Sequence, residues 1–360
     1  MTDGNGNTVT FGYDPMGNKT SAENGAGGTY TYAYDGCGNL LELTDAEGNT
    51  TTYRYNKRGM LLSETDAAGD TRTYTYDALG NLLSETDERG AATTYTYDYT
   101  QNQTASITDA AGGTVTYTYR EGGLPEKISY PQDTWEAYTY DTLGRTVSMT
   151  DEGGLKTTYT YDENGNLLTE DTQGLVTAYT YDAQNRRTSV TDPEGAVTRY
   201  AYDAAGNLET ITDARGNTTT CCCGSDGRLL SVTDALGNKT TFTYDHNGNT
   251  AGYTDAAGNT GTTTYNSQNR QETVTDALGN VTRYTYNQME QPLKVTDALG
   301  GTTTYTYNKK GLPAAVTDAN GNTYRMTYDA AGNYETIIQQ IKHCFIRQIK
   351  TGPAECLTMV

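Results

Sequence analysis

The stretch "TYTYDALGNLLSETD", residues 73–87, holds one full cycle of a pattern that recurs along nearly the whole chain. Its first part alternates: Tyr74 and Tyr76 are two apart and share a face, while Thr71, Thr73 and Thr75 share the other. Its second part alternates too, as Leu41 with Leu43 and Val147 with Met149 do in sister copies. A period of two predicts strands, not helices. Between the runs stands Asp-x-x-Gly-Asn, as in "YDALGN" at 76–81, and the same letters return in "TDALGN" at 233–238. Asp opens a tight turn, and Gly supplies the left-handed conformation of a bulged hairpin, so each mark predicts a chain reversal.

Anchored on the second Tyr, the copies fall at Tyr13, Tyr34, Tyr55, Tyr76, Tyr97, Tyr119, Tyr140, Tyr161, Tyr181, Tyr202, Tyr244, Tyr265, Tyr286, Tyr307 and Tyr328. The spacing is 21 residues, with one interval a residue longer (Tyr97 to Tyr119) and one a residue shorter (Tyr161 to Tyr181), which restores the phase. Position 223, where another Tyr is due, holds Cys223. Each unit is therefore two strands of about five or six residues and two turns. About sixteen units give on the order of thirty strands, a ribbon roughly 150 Å long if flat, and strand twist makes flatness implausible. The expectation is an all-β fold: a coiled, spiralling antiparallel sheet of tandem 21-residue hairpins, its successive turns pairing edge to edge. The repeat array spans residues 1–336, and residues 337–360 form a tail outside the phase.

Composition agrees with folding of an unusual kind. Leu, Ile, Val and Phe make up roughly 13% of the chain, a level that with high net charge usually marks disorder. The 32 tyrosines change that reading, since each can bury a large ring with its hydroxyl hydrogen-bonded, and Tyr and Thr both favour strands. The formal net charge of −20 argues against nucleic acid or anionic membrane as a partner. No apolar run reaches the length of about 20 residues that a membrane helix needs, and the N-terminus has no signal-peptide pattern. It starts inside a repeat, which suggests an upstream portion.

The Tyr-Asp dipeptide followed by x-x-Gly-Asn or x-x-Gly-Arg and an apolar pair, as in "YDALGNLLSETD" and "YDTLGRTVSMTD", resembles the YD repeat of Rhs (rearrangement hot spot) proteins. Related repeats occur in bacterial wall-associated polymorphic toxins, insecticidal toxin complexes and teneurins. The resemblance covers roughly residues 2–336. It implies a segment of a hollow β shell, secreted or at the cell surface as part of its intact parent, that encloses and delivers a C-terminal toxin or other cargo. The family's autoproteolytic Asp-Pro-x-Gly motif has partial matches at Asp14-Pro15 and Asp192-Pro193, both inside ordinary repeat turns where Pro is simply favourable. Nothing after residue 336 is long enough for a toxin domain.

Other readings are weaker. The turns "DENGN" (162–166), "DHNGN" (245–249) and "DANGN" (318–322) place oxygens at alternate positions but lack the sixth-position Gly and later Glu of a calcium loop. The Tyr ladder could stack on sugar rings, so the rival function is an extended adhesin that binds cell-surface carbohydrate. Cys221, Cys222 and Cys223 replace the Tyr-x-Tyr signature by single-base changes and have no partner at zinc spacing, while Cys37, Cys344 and Cys356 suggest no disulfide framework. Only His246 and His343 could serve as an imidazole base, and the carboxylates recur too uniformly for a unique acid-base site. No catalytic, cofactor-binding or metal-binding residue is assigned, and the chain reads as non-enzymatic. In the tail, Ile338, Ile341, Phe345 and Ile349 recur every three to four residues, predicting a short amphipathic helix that Lys342, Arg347 and Lys350 make basic; a change of reading frame explains the same letters.

Overall fold

In the structure, a computed structural model describing residues 1–341 and 344–347, every regular element is a β-strand, 33 of them among the described residues. The chain divides into two compact units. One contains residues 1–92, 243–253 and the chain from 259 on; the other contains residues 93–242 and 254–258. Within each unit, successive strands pair antiparallel with their neighbours in sequence, as alternating hairpin turns dictate.

The quoted stretch sets the register. Strand Thr71–Tyr76 pairs with Leu82–Thr86 so that Thr73 faces Thr86, Tyr74 faces Glu85, Thr75 faces Ser84 and Tyr76 faces Leu82. Between the last two pairs the register shifts by one residue. This bulge explains the adjacent apolar pair of the motif. Leu82 lies opposite Tyr76, and Leu83, two residues from Glu85, shares the Tyr face as well, because the extra residue resets the alternation. The same shift recurs at Tyr34, Tyr140, Tyr161, Tyr202, Tyr286 and Tyr328.

Burial follows the period of two. Along Thr71–Tyr76 the Thr positions are exposed and Arg72, Tyr74 and Tyr76 half-buried. Among the described residues the fully shielded apolar core shrinks to Ala315, and no large side chain is wholly buried. Cohesion therefore comes from the backbone ladder, from rows of half-buried Tyr rings, and from hydroxyl pairs on the Thr face. Thr75 pairs with Ser84 at 2.6 Å, Thr139 with Ser148 at 2.7 Å and Thr264 with Thr273 at 2.7 Å.

Two expectations change. Residues 334–341 are a strand paired with Thr323–Tyr328, and residues 344–347 pair back onto them, with Ile338 opposite both Arg325 and Arg347. Where a helix was expected over Ile338, Ile341 and Phe345, the ladder continues. A strand edge with unpaired donors and acceptors, offered to a β-branched segment, outweighs a short helical periodicity; Ile349 lies outside the described residues. The second change concerns edge-to-edge pairing. In the first unit, residues 3–89 do lie beside residues 245–329, but what meets is turn against turn.

Candidate functional site: the tyrosine face and the turns

Most turns are held by the Asp or Asn side chain that opens them. Asp77 accepts from the backbone N–H groups of Leu79 and Asn81 at 2.8 and 2.9 Å through Oδ1, and from Asn81 Nδ2 at 2.9 Å through Oδ2. The other turn class has the same clasp: Asp234 Oδ1 takes Leu236 and Asn238 N–H at 2.9 Å each, and Oδ2 takes Asn238 Nδ2 at 2.8 Å. Gly80 stands at φ 102° and Gly237 at φ 87°, the left-handed conformation that Gly adopts without a Cβ clash and that Asn185, Asn269 and Glu290 hold in other copies. Donors on both oxygens favour the ionised form, and the carboxyls of Asp234 and Asp318 lie below the usual range, the side-chain amides of Asn238 and Asn322 being the leading cause.

The calcium-like turns carry the same clasp. Asp162 spends Oδ1 on Asn164 and Asn166 N–H and Oδ2 on Asn166 Nδ2. Asp318 and Asp245 are engaged in the same way. The turns at Asp14-Pro15 and Asp192-Pro193 close with the ordinary backbone bonds, Gly17 N–H to Asp14 O and Gly195 N–H to Asp192 O at 3.0 Å each.

In the Gly-Arg variant of the turn, Arg takes over from Asn and reaches further. Arg145 Nε donates to Asp141 Oδ2 at 2.7 Å, a second guanidinium nitrogen donates to Asp162 O at 2.9 Å, and the group lies 4.8 Å from the centre of the Tyr161 ring. Arg186, in an Asn-Arg turn, repeats the carboxylate and ring contacts with Asp182 and Tyr202. One side chain thereby ties its own turn to the next unit. The sequence offered the signal, Arg in place of Asn after the turn, without revealing its reach.

The second Tyr of the signature does the same from the other direction. The Tyr140 hydroxyl donates to Pro125 O at 2.7 Å, Tyr161 to Thr146 O at 2.8 Å, Tyr202 to Arg187 O at 2.9 Å and Tyr307 to Pro292 O at 2.7 Å. Each acceptor sits fifteen residues upstream, at the bulge of the preceding unit. Burial raises the Tyr140 and Tyr161 hydroxyls above their ordinary pKa, with the neighbouring Arg opposing. At Cys223, opposite Leu229, no hydroxyl is present to make this link. Cys221 and Cys223 are half-buried on the Tyr face and Cys222 is exposed on the other, so the three thiols do not converge.

In the first unit the turns form a seam. The class that follows Thr, at residues 3–7, 24–28, 45–49, 66–70 and 87–91, meets the class that follows Tyr, at 245–249, 266–270, 287–291, 308–312 and 329–333. Asn5 Nδ2 donates to Asp245 Oδ2 at 3.0 Å and Asn247 Nδ2 to Asp3 Oδ2 at 2.8 Å. Ser267 Oγ donates to Gly25 O at 2.8 Å, across 242 residues of sequence. Lys310 Nζ lies 2.7 Å from both Asp66 Oδ2 and Asp70 Oδ2 and also reaches Ala330 O. Arg89 meets Asp329 at 3.4 Å. A Cβ on Gly25 would stand 2.5 Å from Ser267 O, so this glycine serves close approach and not a left-handed turn. Beside the seam lies a cavity of about 1310 Å³ lined by Tyr30, Leu43, Met289, Tyr305 and Lys310 among others. His246 sits in a seam turn, and His343 lies outside the described residues.

The RHS Repeat family profile matches residues 20–50, 34–71, 55–92, 76–114, 140–172, 161–197, 185–218 and 225–260, more than half of the chain. The chain belongs to the RHS repeat family. A second profile, Teneurin YD-shell, takes over at residues 260–348. No curated protein sequence matches. Among solved structures, the fold is similar to a TcdB2-TccC3-Cdc42 crystal structure, with a TM-score of 0.78 at 14% identity over 91% of this chain and 21% of that one. It is also similar to TcdB2-TccC3 without its hypervariable C-terminal region, with a TM-score of 0.74 at 14% identity over 92% of this chain and 23% of that one. The Tc holotoxin pore of Photorhabdus luminescens aligns at 0.50, with 16% identity over 94% of this chain and 23% of that one. The chain thus spans about a fifth of the solved chains it matches. Among the described residues, no helix is long and apolar enough to cross a membrane.

Proposed function

We propose that this chain is a stretch of wall in a larger Rhs-type polymorphic toxin, secreted or presented at the cell surface, whose repeats enclose a C-terminal cargo until delivery. It has no catalytic step of its own in this reading. One observation carries it: the polar groups that recur along the array, the turn carboxylate and the second Tyr hydroxyl, are spent within the wall, as at Asp162 and Tyr161. A surface built for many identical ligands would instead keep its repeated polar groups available. The matched toxin structures support the reading through fold alone.

Protease protection in a longer parent tests the proposal. Polypeptide downstream of the repeats is expected to resist digestion while the repeats are folded and to become cleavable when several units are excised. Digestion at equal rates in both cases sinks the enclosing role. A glycan array with the purified chain tests the rival adhesin: saturable binding to a defined sugar would favour it, and its absence favours the wall.

A further inference from the structure

Five Asn-Gly steps occur in the chain, at Asn5, Asn24, Asn164, Asn247 and Asn320. An Asn before Gly is chemically labile in water, because no side chain hinders the backbone nitrogen that follows. That nitrogen attacks the Asn Cγ, the new N–Cγ bond closes a succinimide ring, and the Cγ–Nδ2 bond breaks, so that the amide leaves as ammonia with the proton the nitrogen gave up. Water then opens the ring at either carbonyl, leaving Asp or isoaspartate. Nothing is oxidised or reduced, yet a neutral donor has become an anion. We propose that Asn247 is a modification site of this kind, placed so that its deamidation unlocks the seam between residues 3–7 and 245–249.

Asn247 is the hub of that contact. Its Oδ1 accepts the Asn5 N–H at 2.9 Å, and its Nδ2 donates to Asp3 Oδ2 at 2.8 Å and to Asn269 Oδ1 at 2.6 Å. Asn5 reciprocates, its Nδ2 donating to Asp245 Oδ2 at 3.0 Å. An oxygen in place of the Asn247 Nδ2 removes both donations and sets a third carboxylate against those of Asp3 and Asp245. The backbones leave no room to relax, since a Cβ on Gly4 would already overlap His246 O. The reaction is gated as well: the attacking nitrogen of Gly248 donates to Asp245 O at 3.1 Å, so attack waits on local opening of the turn. Once the seam parts, Asn5 loses its own restraint and its Asn-Gly step follows. Asn164 shows the same chemistry without the consequence. Gly165 N–H donates to Asp162 O at 3.2 Å, as in the seam turn, but the Asn164 side chain has no hydrogen-bond partner among the described residues.

Warm incubation of the whole folded chain at mildly alkaline pH, followed by peptide mapping with mass detection, reads each step separately. Chain deamidated at Asn247 alone, isolated by anion exchange, is expected to lose hydrogen-exchange protection at residues 3–7 and 245–249 and to keep it at 156–172. Chain deamidated at Asn164 alone should keep protection in both seam turns. Asn247→Asp supplies the product directly: in this variant Asn5 should deamidate at least about fivefold faster than in wild type, with the rate at Asn164 unchanged, because the opened turn is more often accessible to attack. The proposal is overturned if Asn247 remains intact when Asn164 has fully reacted, if Asn247→Asp keeps wild-type protection at the seam, or if Asn5 reacts at its wild-type rate in that variant. Loss of protection along the whole chain overturns it too, since the effect would then be general unfolding.

Discussion

The hydroxyl of Tyr161 donates to the carbonyl of Thr146 at 2.8 Å, from one unit to the bulge of the unit before it. Removing only that oxygen tests the link. Tyr161→Phe keeps the ring and leaves the Thr146 carbonyl without its donor, so stability should fall by about 1 kcal/mol, read as a shifted urea midpoint. An unchanged midpoint would mean that the ring alone holds the units together.

Cys223 offers the reverse experiment. Cys223→Tyr restores a hydroxyl within reach of Leu208 O, and the urea midpoint should rise by the equivalent of about 1 kcal/mol. Thiol labelling should separate the cysteines as well. Cys37 and Cys222 are exposed, whereas burial, the Asp203 carboxylate and the flanking thiols push the Cys223 thiol up. Cys223 should therefore react with maleimide last, because the thiolate is the nucleophile. First labelling at Cys223 would contradict its placement.

At the seam, Lys310→Met should leave Asp66 and Asp70 facing one another without a cation. The ammonium is largely shielded, at 16% exposure, so the loss should be about 2 kcal/mol and little changed by salt. Hydrogen exchange is the direct readout: amides at 66–70 and 308–312 should lose protection while those at 156–172 keep theirs. Uniform loss across both sets would indicate general unfolding.

Acid should act through the turns. Burial works against ionisation of Asp245, but donors from Asn249 and Asn5 outweigh it and hold its carboxyl at about 2. Asp162, Asp234 and Asp318 are lowered mainly by side-chain amides. A folded pKa below the unfolded one, about 3.9 for Asp, gives stability that is complete above the unfolded value and disappears as pH falls through the folded one. The melting temperature should therefore be flat between about pH 5 and 7 and drop steeply between about pH 4 and 2. A decline beginning near pH 6 would implicate other groups.

Turn chemistry tests a design rule as well. Asn207→Arg converts a Gly-Asn turn into the Gly-Arg form and places a guanidinium beside position 223. In the wild-type background it meets Cys223, and combined with Cys223→Tyr it meets a ring as Arg186 meets Tyr202. The double variant should exceed the sum of the singles by about 0.5–1 kcal/mol in a double-mutant cycle.

Strands, turns and phase were legible because they depend on neighbours in sequence. Tyr74 and Tyr76 alternate, Asp77 and Gly80 punctuate, and both effects are local. The partners of the Tyr hydroxyls were not legible, because the fifteen-residue reach depends on the bulge that moves Leu82 opposite Tyr76. The seam was hidden for a stronger reason: nothing within a unit indicates which turn lies 242 residues away. Gly4 and Gly25 were the clues, glycines at a turn position that needs no special backbone angle. The tail misled because a period of three to four over Ile338 and Ile341 says nothing about an adjacent open strand, and that strand decided the outcome.

The separation of 242 residues between Gly25 and Ser267 is eleven 21-residue units and about half of another. An odd number of half-units is what brings unlike turns together. Unequal crossing-over between near-identical repeats in the gene adds or deletes whole units, and any whole number preserves that parity. The seam would then slide by one unit, and a Thr-side turn would still meet a Tyr-side turn. Repeat number is thus free to drift across generations, while a break inside a unit would set like turns against like and be lost.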